Sequence, residues 1–264
     1  LGCLSVSRLD TALPTLVKLL KADGYATAHF GKWHLGHEPY SPLEHGFNLD
    51  VQHWPGPGPA GSFVAPWQYP DFKEDYPAEH IEDRMAEEAV KWLRSLEKNQ
   101  PFYMNYWQFS VHAPFDAKES LIKDHRAKVD LTDQQQSPTY AAMVHSLYQA
   151  VGTLLDEIDR LGFAEETIII FYSDNGGNMY DGIVEALPNG EDFLTPPTSN
   201  TPLRGGKSKM FVGGVRVPCI VRYPRKIPAG TTNDAFLNSL ELVPTLLNEI
   251  NIEPPAERVF DGFD

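Results

Sequence analysis

A chain of 264 residues, 42% hydrophobic and 22% charged, has the composition of an ordinary globular protein able to bury a sizeable core. Its formal net charge of −14 argues against a nucleic-acid partner, and any anionic substrate needs a local cluster of cations set against that charge. No apolar run approaches the roughly 20 residues that span a bilayer, and two cysteines, Cys3 and Cys219, make no disulfide framework.

In chain order, Leu13, Leu16, Val17, Leu19 and Leu20 fall at helical spacing within Ala12 to Asp23, and Gly24 stops them. Tyr25 to Phe30 reads as a short strand. Proline, glycine and aromatics, Trp54 and Trp67 among them, make Pro39 to Pro77 a long loop region. Glu79 to Lys98 is an amphipathic helix, and Pro101 to Phe109 an aromatic strand. Ser137 starts a long helix that ends near Gly162. Thr167 to Tyr172 is a continuous apolar run, the pattern of a strand covered on both faces. Val217 to Tyr223 is a further strand, and Leu240 to Ile250 a final helix. This alternation predicts an α/β fold with a largely parallel central sheet and helices on both faces, whose ligand site lies beyond the carboxyl ends of the strands. The whole of 1–264 reads as one domain.

The unusual polar residues fall at those strand ends. Lys32 and His34 follow the first strand. One residue apart in an extended segment, they leave the same face and suit a tetrahedral oxyanion. The bland alternative is an exposed lysine beside a half-buried histidine. His112 lies just past the aromatic strand, fixed by Pro114. Asp174 and Asn175, followed by Gly176 and Gly177, offer hard oxygen ligands to Ca²⁺ or Mg²⁺, although an Asx-Gly turn is an equal reading. Two such ligands are too few for calcium, which takes about 6–8. Lys207, after Gly205 and Gly206 and near Arg204, can bring an ammonium and backbone N–H groups onto an oxyanion.

Taken in order, these segments resemble the type I sulfatase family of the alkaline phosphatase superfamily. The matching phrases are Gly31-Lys32-Trp33-His34-Leu35-Gly36, His45-Gly46-Phe47, Val111-His112-Ala113-Pro114, Ser173-Asp174-Asn175-Gly176-Gly177, Leu203-Arg204-Gly205-Gly206-Lys207, Gly213-Gly214-Val215-Arg216-Val217-Pro218 and Leu242-Val243-Pro244-Thr245-Leu246. The resemblance implies hydrolysis of a sulfate monoester on a small molecule or a glycan. It assigns Asp174 and Asn175 to the divalent metal, calcium in most of the family, and Lys32, Lys207 and His112 to the sulfate. His34 would hydrogen-bond the nucleophile, and His112 would protonate the leaving oxygen. Export to the periplasm or cell exterior is the family habit.

The family attacks with a formylglycine made from the Cys or Ser of a C-x-P-S-R motif, and an Asp-Asp pair near its N-terminus completes the metal site. Neither occurs here. Cys3-Leu4-Ser5-Val6-Ser7-Arg8 lacks the proline and places Arg8 one position late. The nucleophile is therefore unassigned, and the expected state is a catalytic domain truncated at its N-terminus and without the family's C-terminal subdomain. Val212 and Tyr148 also stand where the family often has acids. The alternatives are a phosphatase or phosphonate monoester hydrolase of the same superfamily, and an inactive remnant that binds sulfated glycans.

Overall fold

A computed structural model describes residues 8–256 and 259–263. The chain groups into two compact units, one of residues 1–57, 95–107 and 231–264 and the other of 58–94 and 108–230. Cys3 lies outside the described residues.

The first unit is built on helix α1 (Leu16–Ala22) and strands β1 (Ala26–Gly31), β2 (Leu49–Val51) and β3 (Phe102–Trp107). α1 begins later than the apolar spacing predicts. Pro14 interrupts that run, and Thr15 caps the helix by accepting the Lys18 N–H at 3.3 Å. The strands form a parallel sheet in the order β2-β1-β3, with Ala28 opposite Leu49 and Met104. Central β1 is buried throughout its last five residues, and side chains on alternate faces pack into apolar surroundings. Helix α5 (Leu242–Glu249) also belongs here, preceded by an Asn238–Glu241 capping box.

The second unit carries two amphipathic helices, α2 (Ile81–Ser95, its last residue excepted) and α4 (Pro138–Arg160), with the short α3 (Glu119–Arg126) packed on α4. Ser137 caps α4, as the sequence predicts, by accepting the Tyr140 N–H at 3.0 Å. Strand β4 (Ile169–Tyr172) pairs with β7 (Cys219–Arg222), and β5 (Ile183–Ala186) with β6 (Asp192–Thr195). Both pairs are antiparallel. The parallel sheet is thus β2-β1-β3, and β7 returns against β4 in the opposite sense. Apolar composition marks a strand but carries no direction. The β5–β6 hairpin has no counterpart among the elements predicted from the sequence.

The loop over 39–77 holds much of the unit cores. Phe63, Trp67 and Tyr69 are buried, and Trp67 stacks on Phe72 at 6.0 Å. Trp67 is therefore a packing residue.

Candidate functional site

Lys32 and His34 sit at the carboxyl end of β1. The Lys32 N–H donates to the Trp107 carbonyl at 2.8 Å, extending the β1–β3 ladder by one bond. Between them Trp33 is buried against Val17 and Phe47, stacks on Trp107 at 5.9 Å, and donates its indole N–H to the Tyr40 carbonyl at 2.8 Å. His45 and Phe47, the outer residues of the His45-Gly46-Phe47 phrase, both lie against the same indole. His29 completes this aromatic nest, where burial lowers its pKa to about 4 and keeps the ring neutral. The nest fixes the backbone that carries the two candidate site residues. It does not put them on one face by strand alternation. The strand ends at Gly31, whose φ is +96°, and His34 has φ +52°, a left-handed conformation. Lys32 is half-buried and His34 exposed.

His112 follows β3 in the chain and belongs to the second unit. Its Nδ1 lies 2.8 Å from the Ala113 carbonyl, and a carbonyl only accepts, so Nδ1 carries a hydrogen. In the neutral ring Nε2 then holds the lone pair, and it is the atom that takes up or releases a proton. Gly58 leaves room for this arrangement, because a Cβ there would fall 2.9 Å from the Ala113 oxygen. The loop before His112 is tied to α2 by the buried Glu82, which accepts the Ser110 N–H at 2.8 Å. Burial raises the Glu82 pKa to about 7.

Asp174, Asn175 and Lys207 come together on two interlocked loops. The Asn200 side-chain amide bonds both ways to Gly177, accepting its N–H at 3.1 Å and donating to its carbonyl at 2.9 Å. That same carbonyl accepts the Lys207 N–H at 3.0 Å. The Gly176 N–H donates to Gly214, and the Gly213 N–H to Arg204. No side chain fits between these strands of backbone. A Cβ at Gly176 would lie 1.8 Å from the Gly213 oxygen, and one at Gly206 2.5 Å from the Gly177 oxygen. The glycine pairs in the sequence are thus the contact surface of the two loops.

The loops are anchored to the start of α4. Gln135 accepts from the Ser199 N–H and donates to its carbonyl, next to Asn200. Glu185 of the hairpin accepts from Ser137 and from the N–H and hydroxyl of Thr139, placing a carboxylate at the positive end of a 23-residue helix. Sequence reasoning missed these ties. The signals that remain are Gln135 and Asn200, amides flanking a helix start and a glycine motif.

The donor chemistry of Asp174 and Asn175 fits a hard divalent cation, but their number does not. Asp174 is exposed and has no hydrogen-bond or ion-pair partner among the described residues. Asn175 donates through Nδ2 to the Gly176 carbonyl, leaving Oδ1 to accept. No cluster of three or more His, Cys, Asp or Glu suited to a metal occurs among the described residues. Two oxygens contribute to a calcium site without making one.

The comparisons with known proteins agree with one another. A family model described as Sulfatase matches residues 4–252. N-acetylgalactosamine-6-sulfatase of Rattus norvegicus is 30% identical over 271 residues, covering 94% of this chain and 47% of the relative. The chain therefore spans about half the length of the curated relatives it matches. In solved structures the same fold occurs in Ps i-CgsB in complex with k-i-k-neocarrahexaose, with a TM-score of 0.80 and 24% identity over 98% of this chain and 58% of that one. It also occurs in the PsFucS1 sulfatase of Pseudoalteromonas sp., with a TM-score of 0.67 and 24% identity over 95% of this chain and 53% of that one.

Proposed function

From the membership of this chain in the sulfatase family, we propose that it carries the sulfate clamp and part of the metal cup of a sulfuric ester hydrolase acting on a carbohydrate. The observation that supports this most is the interlocked pair of loops. Asp174, Asn175 and Lys207 lie on these two loops, which hydrogen bonds of Gly177 with Lys207 and Asn200 join. The sugar reading rests on the N-acetylgalactosamine-6-sulfatases among the relatives.

In this reading Lys32 and Lys207 neutralise sulfate oxygens as ester charge shifts in the transition state. His112, with Nδ1–H committed to Ala113, presents Nε2 to the departing oxygen; as the imidazolium, protonated on both nitrogens, it gives its Nε2 proton to that oxygen and is left neutral. His34 orients the attacking group, which is not assigned to any residue. Asp174 and Asn175 would supply two oxygens to a calcium ion, with its other ligands coming from outside this set. Without a C-x-P-S-R sequence, residues 1–264 alone are expected to bind sulfate esters without turnover. Export to the periplasm or cell exterior belongs to the same proposal.

The test is a panel of aryl sulfate, phosphate and phosphonate esters, assayed on the full-length gene product with Lys207→Ala and His112→Ala beside it. Sulfate turnover that falls at least a hundredfold in both variants supports the proposal. Dominant phosphate or phosphonate turnover overturns it in favour of another branch of the superfamily.

A further inference from the structure

Residues 193–233 contain no Asp or Glu, yet they hold seven cations: Arg204, Lys207, Lys209, Arg216, Arg222, Arg225 and Lys226. This is the basic segment of a chain whose formal net charge is −14. Arg222 and Arg225 are accounted for by ion pairs with Asp159 and Glu166. Arg204 and Lys209, which flank Lys207, have no ion-pair partner among the described residues, and both are exposed.

Each is instead seated on an aromatic ring. The Arg204 guanidinium lies 3.8 Å from the Phe211 ring centroid, and the Lys209 ammonium 5.5 Å from that of Tyr180. Stacking uses the face of a guanidinium and leaves its N–H edge outward, and an ammonium over a ring keeps donors for another partner. Gly205, with φ +78°, turns the backbone between Arg204 and Lys209 close to Phe211, where a Cβ would lie 3.1 Å from Phe211 Cβ. Met179 packs against Gly206, so the Tyr180 segment is fixed to the same loop as Lys207. Tyr180 is 52% exposed, an aromatic ring open to a sugar face.

We propose that Tyr180, Lys209 and Arg204 form a subsite beside Lys207 that takes a second anionic group of the substrate, a sulfate or a carboxylate, on a sugar stacked over Tyr180. The assignment rests on the reading of Lys207 as a sulfate ligand. The geometry is suited to it because both cations are pre-positioned by their rings, which lowers the ordering cost of binding. A monosulfated sugar engages Lys207 alone; a sugar with two anionic groups engages both positions.

Calorimetric titration of the protein with three sugars tests this. They are N-acetylgalactosamine 6-sulfate, a glucosamine bearing N- and 6-O-sulfates, and a 6-sulfated disaccharide with a uronic acid. The protein should bind at least one doubly anionic sugar about five- to tenfold more tightly than the monosulfate, and the arm that shows it identifies the second group. Lys209→Ala should abolish that preference, Lys209→Arg should restore it, and Tyr180→Ala should weaken it. Lys207→Ala should weaken all three sugars. Equal affinity for all three in the wild-type protein, or a preference unchanged in both Lys209→Ala and Tyr180→Ala, overturns the subsite while leaving Lys207 in place. Failure of the wild-type protein to bind any of the three removes the sulfate reading, and the subsite with it.

Discussion

The two units set their functional backbone in opposite ways. At the end of β1 the chain is fixed by large side chains, Trp33 inside a ring of His29, His45, Phe47 and Trp107. In the loops around Asn175 and Lys207 it is fixed by the absence of side chains, with glycine backbones in direct contact. Dispersion and apolar burial stabilise the first, and backbone hydrogen bonds between closely approaching chains the second. The contrast implies different vulnerabilities. The first backbone fails when volume is removed, the second when volume is added.

The largest expected effect is on the packed side. Trp33→Ala leaves a cavity among buried rings and should cost about 4 kcal/mol, as large aromatic truncations do. The measurement is the urea midpoint, with a matching loss of binding at Lys32. A cost below about 1 kcal/mol would show that the nest is not what fixes this edge. On the glycine side, a Cβ at Gly214 would fall 2.0 Å from the Lys209 oxygen and 2.5 Å from the Gly206 oxygen. Both obstacles are backbone, so no rotamer relieves them. Gly214→Ala should cost about 3 kcal/mol and open the loop over 204–214 to protease. If Gly214→Ala is neutral while Trp33→Ala is severe, the loop contact is looser than its geometry shows and the comparison collapses.

The sequence shows more of the first edge than of the second. Lys32, Trp33 and His34 follow a strand whose apolar run is plain, and α4 is legible because its spacing and its Ser137 cap agree. The glycine motif is visible around Asp174 and Lys207, but its purpose as a mutual contact needs two segments about 30 residues apart to meet. The β5–β6 hairpin is illegible for a related reason. Its strands are four residues each, carry exposed Val184 and Leu194, and are pinned by Glu185 to a helix start far off in sequence. Direction in the β4–β7 pair and the left-handed turn at His34 depend on tertiary context that composition does not encode.

Buried titratable groups sharpen the contrast through pH. His29 in the first unit and His80 in the second both have pKa values lowered to about 4 by burial, so both lose stability as pH falls from 6.5 through 4. Glu82 acts with the opposite sign. Its pKa rises from 4.5 to about 7, so its protonated form is favoured in the fold, and stability is lost as pH rises from 4.5 through 7. Glu82→Gln stays neutral at every pH and can still accept the Ser110 N–H. Relative to wild type it should gain about 2 kcal/mol between pH 5 and pH 7.5, read from paired thermal unfolding curves. A constant difference across that range would mean that Glu82 titrates normally and is not buried as a carboxylic acid.

The smallest effect separates the role of His34 as a side chain from its role as a backbone position. With φ at +52°, His34 occupies a conformation that glycine adopts without a steric penalty, and its side chain is exposed. His34→Gly removes the Cβ clash but also frees the unfolded chain, so the two effects should nearly cancel, within about 0.5 kcal/mol of wild type. His34→Ala keeps the clash, and His34→Val should cost about 1 kcal/mol or more because a β-branched residue tolerates this region least. Thermal midpoints in the order glycine, alanine, valine place the strain in the backbone turn after β1. If all three variants instead fall below wild type by a similar amount, the His34 ring contributes packing of its own, and the edge depends on side-chain volume one residue further than the Trp33 nest accounts for.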